Sequence, residues 1–285
     1  MIDYRIHTFL KLCETMNYRR TAELLNMTQP AVTQHIHFLE NFYEVKLFIY
    51  SGKKLSKTEA GRKLEEYARS VMYNEEVFKS DIKEPSVRTV RVGATKTIGD
   101  YCIQDLVTSY IQDENIHFEL TIDNTTNLLK KLDDQQLDFL IVEGYFDKSC
   151  YDYRLYMEEE LVGICPLDHP FAGKEVDVKE ILKEHIILRE PGSGTRKVFE
   201  HYMRERNYSV DHIKNTTIIS SLHLIRKMVS NGMGISFVYR SVADEKEDLS
   251  VFRMKDSPIF HEFNYVFLKN SKAISLFEEL SKKFR

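Results

Sequence analysis

The sequence predicts an α/β chain in three parts: a small helical module ending in a hairpin, one long helix, and a larger body of alternating strands and helices. Three observations lead there. Through the first forty positions apolar residues recur at spacings of three and four. From Thr58 to about Lys83 there is no proline and no glycine except Gly61. Beyond Pro85-Ser86 the period drops to two and then alternates between two and 3.6, as strands alternating with helices require. At 285 residues, two or three domains are expected rather than one core.

In the first part, Phe9, Leu10, Leu12, Cys13 and Met16 form the apolar side of a first helix. Ala22, Leu24 and Leu25 supply the inner face of a second, with Asn26 and Met27 at a tight turn. Thr28 stands where an N-cap belongs, and Pro30 fits the first turn of a third helix, where a missing N–H costs nothing. Val32, Ile36 and Leu39 then face inward, leaving Gln29, Thr33, Gln34 and His37 on the outer face. Next, LFIYSGKKLSKTEAG places the basic turn Gly52-Lys53-Lys54 between two short extended runs. Three helices followed by a hairpin make a winged helix-turn-helix. A polar outer face of amide and hydroxyl side chains suits a major groove, where such groups pair with base edges and phosphates. The expected DNA contacts are Thr28, Gln29, Pro30, Thr33, Gln34 and His37 from the helix and its cap, with Lys53 and Lys54 from the wing.

These residues resemble the N-terminal signature of the LysR-type transcriptional regulators. The family pattern of (Ser/Thr)-Gln-Pro-Ala-Val-(Ser/Thr), Leu-Glu, Leu-Phe and Thr-x-Ala-Gly stands here as Thr28 to Thr33, Leu39-Glu40, Leu47-Phe48 and Thr58 to Gly61. There are two departures. Thr21-Ala22 replaces the usual Ala-Ala, and Tyr50 stands where the family has an Arg at the base of the wing. Phosphate contact by the wing is therefore expected to rest on Lys53, Lys54 and Lys57.

Charge is consistent with this division. The whole chain carries −4, yet residues 1–63 hold ten Lys or Arg against six Asp or Glu, a net +4 that leaves −8 on the rest. A basic module on an acidic body confines phosphate attraction to one end. The four cysteines, Cys13, Cys102, Cys150 and Cys165, have neither C-x-x-C spacing nor nearby histidine pairs, so thiols are expected rather than a metal site or disulfides. No cofactor is expected. Nowhere do eighteen apolar residues follow one another, which predicts a cytoplasmic protein without a membrane partner.

The long helix carries Leu64, Ala68, Val71, Phe78 and Ile82 with Glu75 in the missing place, steps of four and three that make a heptad seam. About 26 residues span roughly 39 Å. So narrow a stripe suits another helix of the same kind, and a dimerisation helix is the reading; the LysR-type resemblance implies the same. The expected divisions are a winged helix-turn-helix over 1–60, a linker helix and hinge over 61–86, and an effector-binding domain over 87–285. The last has one lobe at about 87–160 with 268–285 and a second at about 161–267.

In the body, Val90 and Val92 alternate in a strand ending at Gly93-Ala94, Ile98 to Gln112 reads as a helix, and residues 116–122 alternate again. TTNLLKKLDDQQ is a helix and DFLIV a buried strand. A second series follows: LVGICP strand, VKEILKEH helix, IIL strand, TRKVFEHYMRERN helix, TTIIS, SLHLIRKMVSNG helix and GISFV strand. HEFNYVFLK and AISLFEELSKKF close the chain with a strand and a helix. Two such α/β units joined by extended crossings resemble the periplasmic-binding-protein architecture, which is also that of the LysR-type effector domain.

In open α/β sheets, ligands lie beyond the carboxyl ends of the strands. Three places qualify. GATKTIG brings Thr95, Thr97 and Ile98 to a strand end, and Asn124-Thr125 forms the next strand-to-helix turn. LREPGSGTRK sets two glycines and two hydroxyls before a helix, where converging N–H groups and the helix dipole point to an anion. The resemblance, to a subgroup of sulfur and carbon assimilation regulators with this Arg189-to-Arg196 sequence, implies Ser193 and Thr195 as effector contacts, with Thr95, Thr97 and Thr125 from the first lobe; Gly194 in the loop and Ile98 at the strand end are expected beside them. Glu143, just past a strand end, either orients a cationic part of the effector or is solvated. Ser221 begins a helix that faces the cleft. Sulfate-like anions, acetylated amino acids, dicarboxylates and phosphorylated sugars would all satisfy such a site.

No nucleophile and base stand at a catalytic spacing, so an enzyme is not expected. The function predicted is a sequence-specific transcriptional regulator whose activity follows a small anion bound between the lobes. Its partners would be double-stranded DNA, the effector, and further copies of itself, with RNA polymerase as an additional contact. Family resemblance implies a tetramer and, most often, activation. Two other classes remain open: an enzyme or solute-binding protein that keeps the DNA module for oligomerisation, and an architectural DNA-binding protein with a degenerate cleft.

Overall fold

The structure, a computed structural model, describes residues 2–52, 54–82, 87–244, 248–255, 258–275 and 277–278. Two compact units are present. One comprises Met1–Ser86 with Cys150–Asp152 and Leu268–Arg285; the other comprises Val87–Ser149 and Tyr153–Phe267.

The first unit holds α1 (Arg5–Thr15), α2 (Tyr18–Leu24), α3 (Gln29–Tyr43), β1 (Phe48–Ser51), β2 (Lys54–Lys57) and α4 (Glu59–Asp81). Its helices start where side chains can cap them: Asn17 accepts the Arg20 N–H at 3.0 Å and Thr28 accepts that of Ala31 at 3.3 Å. The turn between α2 and α3 passes through Asn26 at φ +53°, a left-handed conformation that asparagine tolerates. Val32, Ile36 and Leu39 are buried as predicted. Leu24 is not on the inner face: it is 49% exposed, and Thr21 is buried in its stead. Thr21 can occupy that place because its hydroxyl pairs with Thr15 at 2.6 Å and with the Asn17 carbonyl at 2.9 Å.

The hairpin is anchored around Leu47. Glu40, buried at the end of α3, accepts the Leu47 N–H at 2.9 Å and pairs with Lys46 at 2.7 Å. Thr58 donates its hydroxyl to the Lys46 carbonyl at 2.6 Å, and its backbone N–H to Leu47 O at 3.0 Å. Gly61 lies so close that a Cβ there would meet Leu47 O at 2.2 Å. The Leu-Glu, Leu-Phe and Thr-x-Ala-Gly elements of the sequence are thus one mutually bonded cluster that fixes the wing to the helices.

In α4, Leu64 and Ala68 join the core of the first unit with Phe9, Leu12 and Ile36. The same helix is held by the segment after residue 268: Ser70 donates to the Lys269 carbonyl, and Asn74 accepts the Lys272 N–H at 2.8 Å. Only the far part of the expected seam is open, with Phe78 53% and Ile82 61% exposed. The expected hinge at Pro85-Ser86 lies outside the described residues.

The second unit contains β3 (Arg88–Thr95), α5 (Lys96–Tyr101), α6 (Gln104–Ile111), β4 (Ile116–Asp123), α7 (Thr125–Asp133), β5 (Phe139–Val142) and β6 (Tyr151–Cys165). It continues with β7 (Glu175–Val176), α8 (Val178–Ile181), β8 (His185–Leu188), α9 (Gly194–Glu205), β9 (Asn215–Ile218), α10 (Leu222–Ser230), β10 (Ile235–Tyr239), α11 (Arg240–Ala243), β11 (Ser250–Met254) and β12 (Ile259–Leu268). The main sheet runs β4-β3-β5-β12-β6-β10-β8-β9. β4, β3 and β5 are parallel, as are β10, β8 and β9, while β12 and β6 run antiparallel to β5 and β10 where the two series join.

Two elements differ from expectation. The helix predicted from Ile98 to Gln112 is broken into α5 and α6, because Ile103 is buried between them and the Cys102 carbonyl accepts the Tyr156 hydroxyl at 2.7 Å. β6 begins ten residues earlier than the predicted Leu161. Its acidic run is held in the strand: Glu160 pairs with Arg253 at 2.6 Å and Glu159 accepts the Ser241 N–H at 3.2 Å. The closing helix is present at 273–275 and 277–278, and its remainder lies outside the described residues.

Candidate functional site

On α3 the residues Gln29, Pro30, Gln34 and His37 are exposed, as is the cap Thr28, and Thr33 is half-buried. Thr33 donates its hydroxyl to the Gln29 carbonyl at 3.0 Å, which leaves the oxygen lone pairs outward. His37 Nδ1 lies 3.5 Å from Glu40. In the wing, β1 and β2 pair with Ser51 opposite Lys54; Gly52 has φ +62°. Lys54 is exposed, and Lys53 lies outside the described residues. Lys57, expected to reach phosphate, is instead paired with Glu65 of α4. That ion pair binds the wing to the helix.

In the second unit, β3, β4 and β5 end at one level, with Thr95 opposite Asp123 and Ala94 opposite Ile141. Their ends bring Thr95, Thr97, Thr125 and Glu143 together, all of them buried. From the other half, the turn between β8 and α9 adds Ser193, Gly194 and Thr195, also buried. The two sides touch: a Cβ on Gly194 would lie 2.8 Å from Gly144 Cα, and one on Gly144 would lie 2.5 Å from Thr125 Oγ1. Gly192 takes φ +93°, so only the first glycine of the pair serves the turn. The second is there for close packing.

Glu143 is the chemical centre of this group. Its Oε1 accepts hydroxyls from Thr97 at 3.3 Å and Thr195 at 3.5 Å. Its Oε2 is buried with no partner, and so are Thr95 Oγ1, Thr125 Oγ1 and Arg189 Nη1. Burial pushes the Glu143 carboxyl up to about 7, against the opposing pull of the Arg189 charge and the threonine hydroxyls. Arg189 donates through Nε to Glu190 at 2.9 Å, and Lys96 reaches Glu190 at 3.0 Å from α5. Burial raises the Glu190 carboxyl, but hydrogen bonding and charge from Arg189 and a bond from Lys96 outweigh it and hold the group below its usual range. Ile98 is fully buried beside Thr97 of α5.

Ser193 has a second task, since its Oγ accepts the Arg196 N–H at 3.4 Å as the N-cap of α9. Ser221 does the same for α10 at 3.2 Å; it is exposed and is not among the buried group. Sequence reasoning missed Gly144, Arg189 and Tyr239, whose hydroxyl lies 3.5 Å from the Glu143 carbonyl. Arg189 could have been found as a cation fixed at the mouth of a glycine-rich turn. Nothing local marks Tyr239.

Residues 4–62 match the bacterial regulatory helix-turn-helix family of LysR type, and residues 83–284 match the LysR substrate binding domain. The chain belongs to the LysR family of transcriptional regulators. Like other LysR-type members it is a DNA-binding regulator with an effector-binding domain, not an enzyme. It is 29% identical over 287 residues to an uncharacterised HTH-type transcriptional regulator of Methanocaldococcus jannaschii, covering 97% of each chain. It is 27% identical to the HTH-type transcriptional regulator CysL of Bacillus subtilis, covering 95% of this chain and 94% of CysL. Its fold also matches the regulatory domain of Synechocystis CcmR in complex with 2-PG, at a TM-score of 0.60 and 19% identity, covering 69% of this chain and 97% of that one. Among the described residues no helix is long and apolar enough to cross a membrane, and no group of three metal-ligating side chains is present.

Proposed function

We propose that this LysR-type regulator senses a small anion held at the strand ends of its second unit, between the lobe built on β3, β4 and β5 and the lobe built on β8, β9 and β10. One observation carries the reading: four buried polar atoms, on Thr95, Thr125, Glu143 and Arg189, lack partners at one place. Buried polar groups in proteins are mostly paired; Glu159 Oε2, Asn264 Oδ1 and Ser271 Oγ also lack partners here, but a cluster of unpaired ones is where a ligand supplies the missing bonds. Ser193, Gly194 and Thr195 at the start of α9 add hydroxyls and N–H groups to the same place, and Ile98 forms its apolar wall. That a regulatory domain of the same fold is in complex with 2-PG supports an anion as the effector.

On DNA, α3 would lie in the major groove. Gln29, Thr33 and Gln34 would read base edges; Thr28, Pro30 and His37 would lie against the backbone, with Lys53 and Lys54 reaching phosphate from the wing. The functional divisions are 1–60, 61–86 and 87–285. Exposed Phe78 on α4 and Ile82 just after it support pairing of two chains into a dimer, the step before a tetramer acting in the cytoplasm as an activator.

Thermal unfolding of the full chain against a panel of small anionic metabolites tests the effector site. A ligand at a hundred times its dissociation constant adds about 2.7 kcal/mol to the folded state. The upward shift should vanish in Ser193→Ala with Thr195→Val while DNA affinity is kept. A shift that survives both substitutions would place the effector elsewhere.

A further inference from the structure

The buried cluster contains a carboxyl group where an anion is to bind, and this restricts the ligand more than its charge does. Thr95 and Thr125 hydroxyls, Arg189 Nη1 and the start of the twelve-residue helix α9 all offer protons. Glu143 Oε2 offers lone pairs, buried and unpartnered. An anion oxygen without a proton would set lone pair against lone pair there, in a setting from which water is excluded. An oxygen bearing a proton would complete the set.

Resting on the cleft reading above, we propose that the ligand is a small oxyanion carrying its own proton, which Glu143 Oε2 accepts in a hydrogen bond, while a fully ionised anion of the same shape is refused unless Glu143 itself takes up a proton. In either arrangement the complex holds one proton between the carboxyl and the anion. The Gly144–Gly194 contact closes the walls beside Glu143, which favours a compact anion. The groups that face Glu143 do not supply the proton. Burial raises Tyr239 well above 10 and Cys102 to about 11; His261, near the Glu143 backbone, is lowered by burial and stays neutral at pH 8. The Glu143 carboxyl, pushed up to about 7, is poised to exchange a proton near neutral pH; burial also raises the carboxyls of Glu159 and Asp100.

Calorimetric titration of the full chain with sodium phosphate, sodium sulfate and methyl phosphate at pH 8 tests this. Hydrogen phosphate keeps a proton there, sulfate has none, and a phosphate monoester, with its second ionisation near 6, has lost its own. Hydrogen phosphate should bind at least about tenfold more tightly than the other two. Lowering the pH from 8 to 7 should strengthen sulfate binding by about fivefold for a carboxyl at about 7, with uptake of up to one proton read from the dependence on buffer ionisation enthalpy. In Glu143→Gln, whose amide both donates and accepts, the preference should collapse and sulfate binding should lose its pH dependence. Equal affinities in the wild type, an unchanged preference in Glu143→Gln, or no binding of hydrogen phosphate would each overturn the proposal. Ser193→Ala with Thr195→Val should weaken all three anions together. Unweakened binding in that variant would remove the cleft itself from consideration, a separate failure.

Discussion

Glu143→Gln should make the unliganded protein more stable, and by an amount that grows with pH. The carboxyl is raised from 4.5 to about 7 by burial, which amounts to a penalty of about 3 kcal/mol on the ionised form. Below pH 4.5 the group is protonated in both folded and unfolded chains and the penalty is absent. Between 4.5 and 7 the unfolded chain releases the proton while the folded chain retains it, so stability falls as pH rises. Above 7 both are ionised and the whole penalty applies. Glutamine has the same shape and no ionisation. The stability difference between variant and wild type should therefore increase by about 2 to 3 kcal/mol from pH 5 to pH 8, the rest of the penalty having set in by pH 5. With no tryptophan in the chain, urea unfolding followed by circular dichroism at each pH, in buffers free of phosphate and sulfate, would measure it. A difference that stays flat across that range would mean that Glu143 is solvated or fully paired, and the reasoning from its burial would fail.

Three further outcomes concern the DNA-binding module. Glu40→Ala should destabilise the first unit by about 2 kcal/mol, mostly because the buried Leu47 N–H loses its acceptor; the ion pair with largely exposed Lys46 adds less than about 1 kcal/mol. Hydrogen bonds from Lys46 and from the Leu47 N–H overcome the upward push of burial and hold the Glu40 carboxyl below 4.5. Its contribution should be present at neutral pH and disappear as pH falls through that lowered value, which acid titration of both proteins would show. Gly61→Ala should displace the wing, since the new methyl would sit 2.2 Å from the Leu47 carbonyl oxygen. Loss of DNA affinity on random and specific sequences alike is the expected readout. Thr33→Ala should cost roughly 1 kcal/mol or more on the preferred sequence and little on random DNA, measured by competition binding; equal losses on both would remove Thr33 from base contact.

How far the sequence could be read depended on whether the deciding interaction was local. The order of α1, α2, α3 and the hairpin was legible because caps, turn residues and apolar spacing lie within a few positions of one another. Thr28, for example, caps a helix beginning at the next residue. Leu24 was misplaced because helical spacing alone does not distinguish an apolar residue from a threonine whose hydroxyl finds partners six and four residues back. β6 was cut short for a related reason: its glutamates look solvated until Arg253 and the Ser241 N–H, some eighty to ninety residues away, are brought beside them.

The cleft shows the same division more sharply. Its hydroxyls could be named in advance, since strand ends and a glycine-rich turn mark Thr95, Thr125, Ser193 and Thr195 from sequence alone. What the sequence left open was whether Glu143 faces water. That depends on the Gly144–Gly194 contact, where the absence of two side chains lets opposite walls meet. Once they meet, the carboxyl has two threonine hydroxyls on one oxygen and nothing on the other. The consequence is chemical rather than architectural. A site read as a cradle for negative charge is also one that counts protons, and a regulator built on it would respond to the protonation of its ligand as well as to the ligand's concentration.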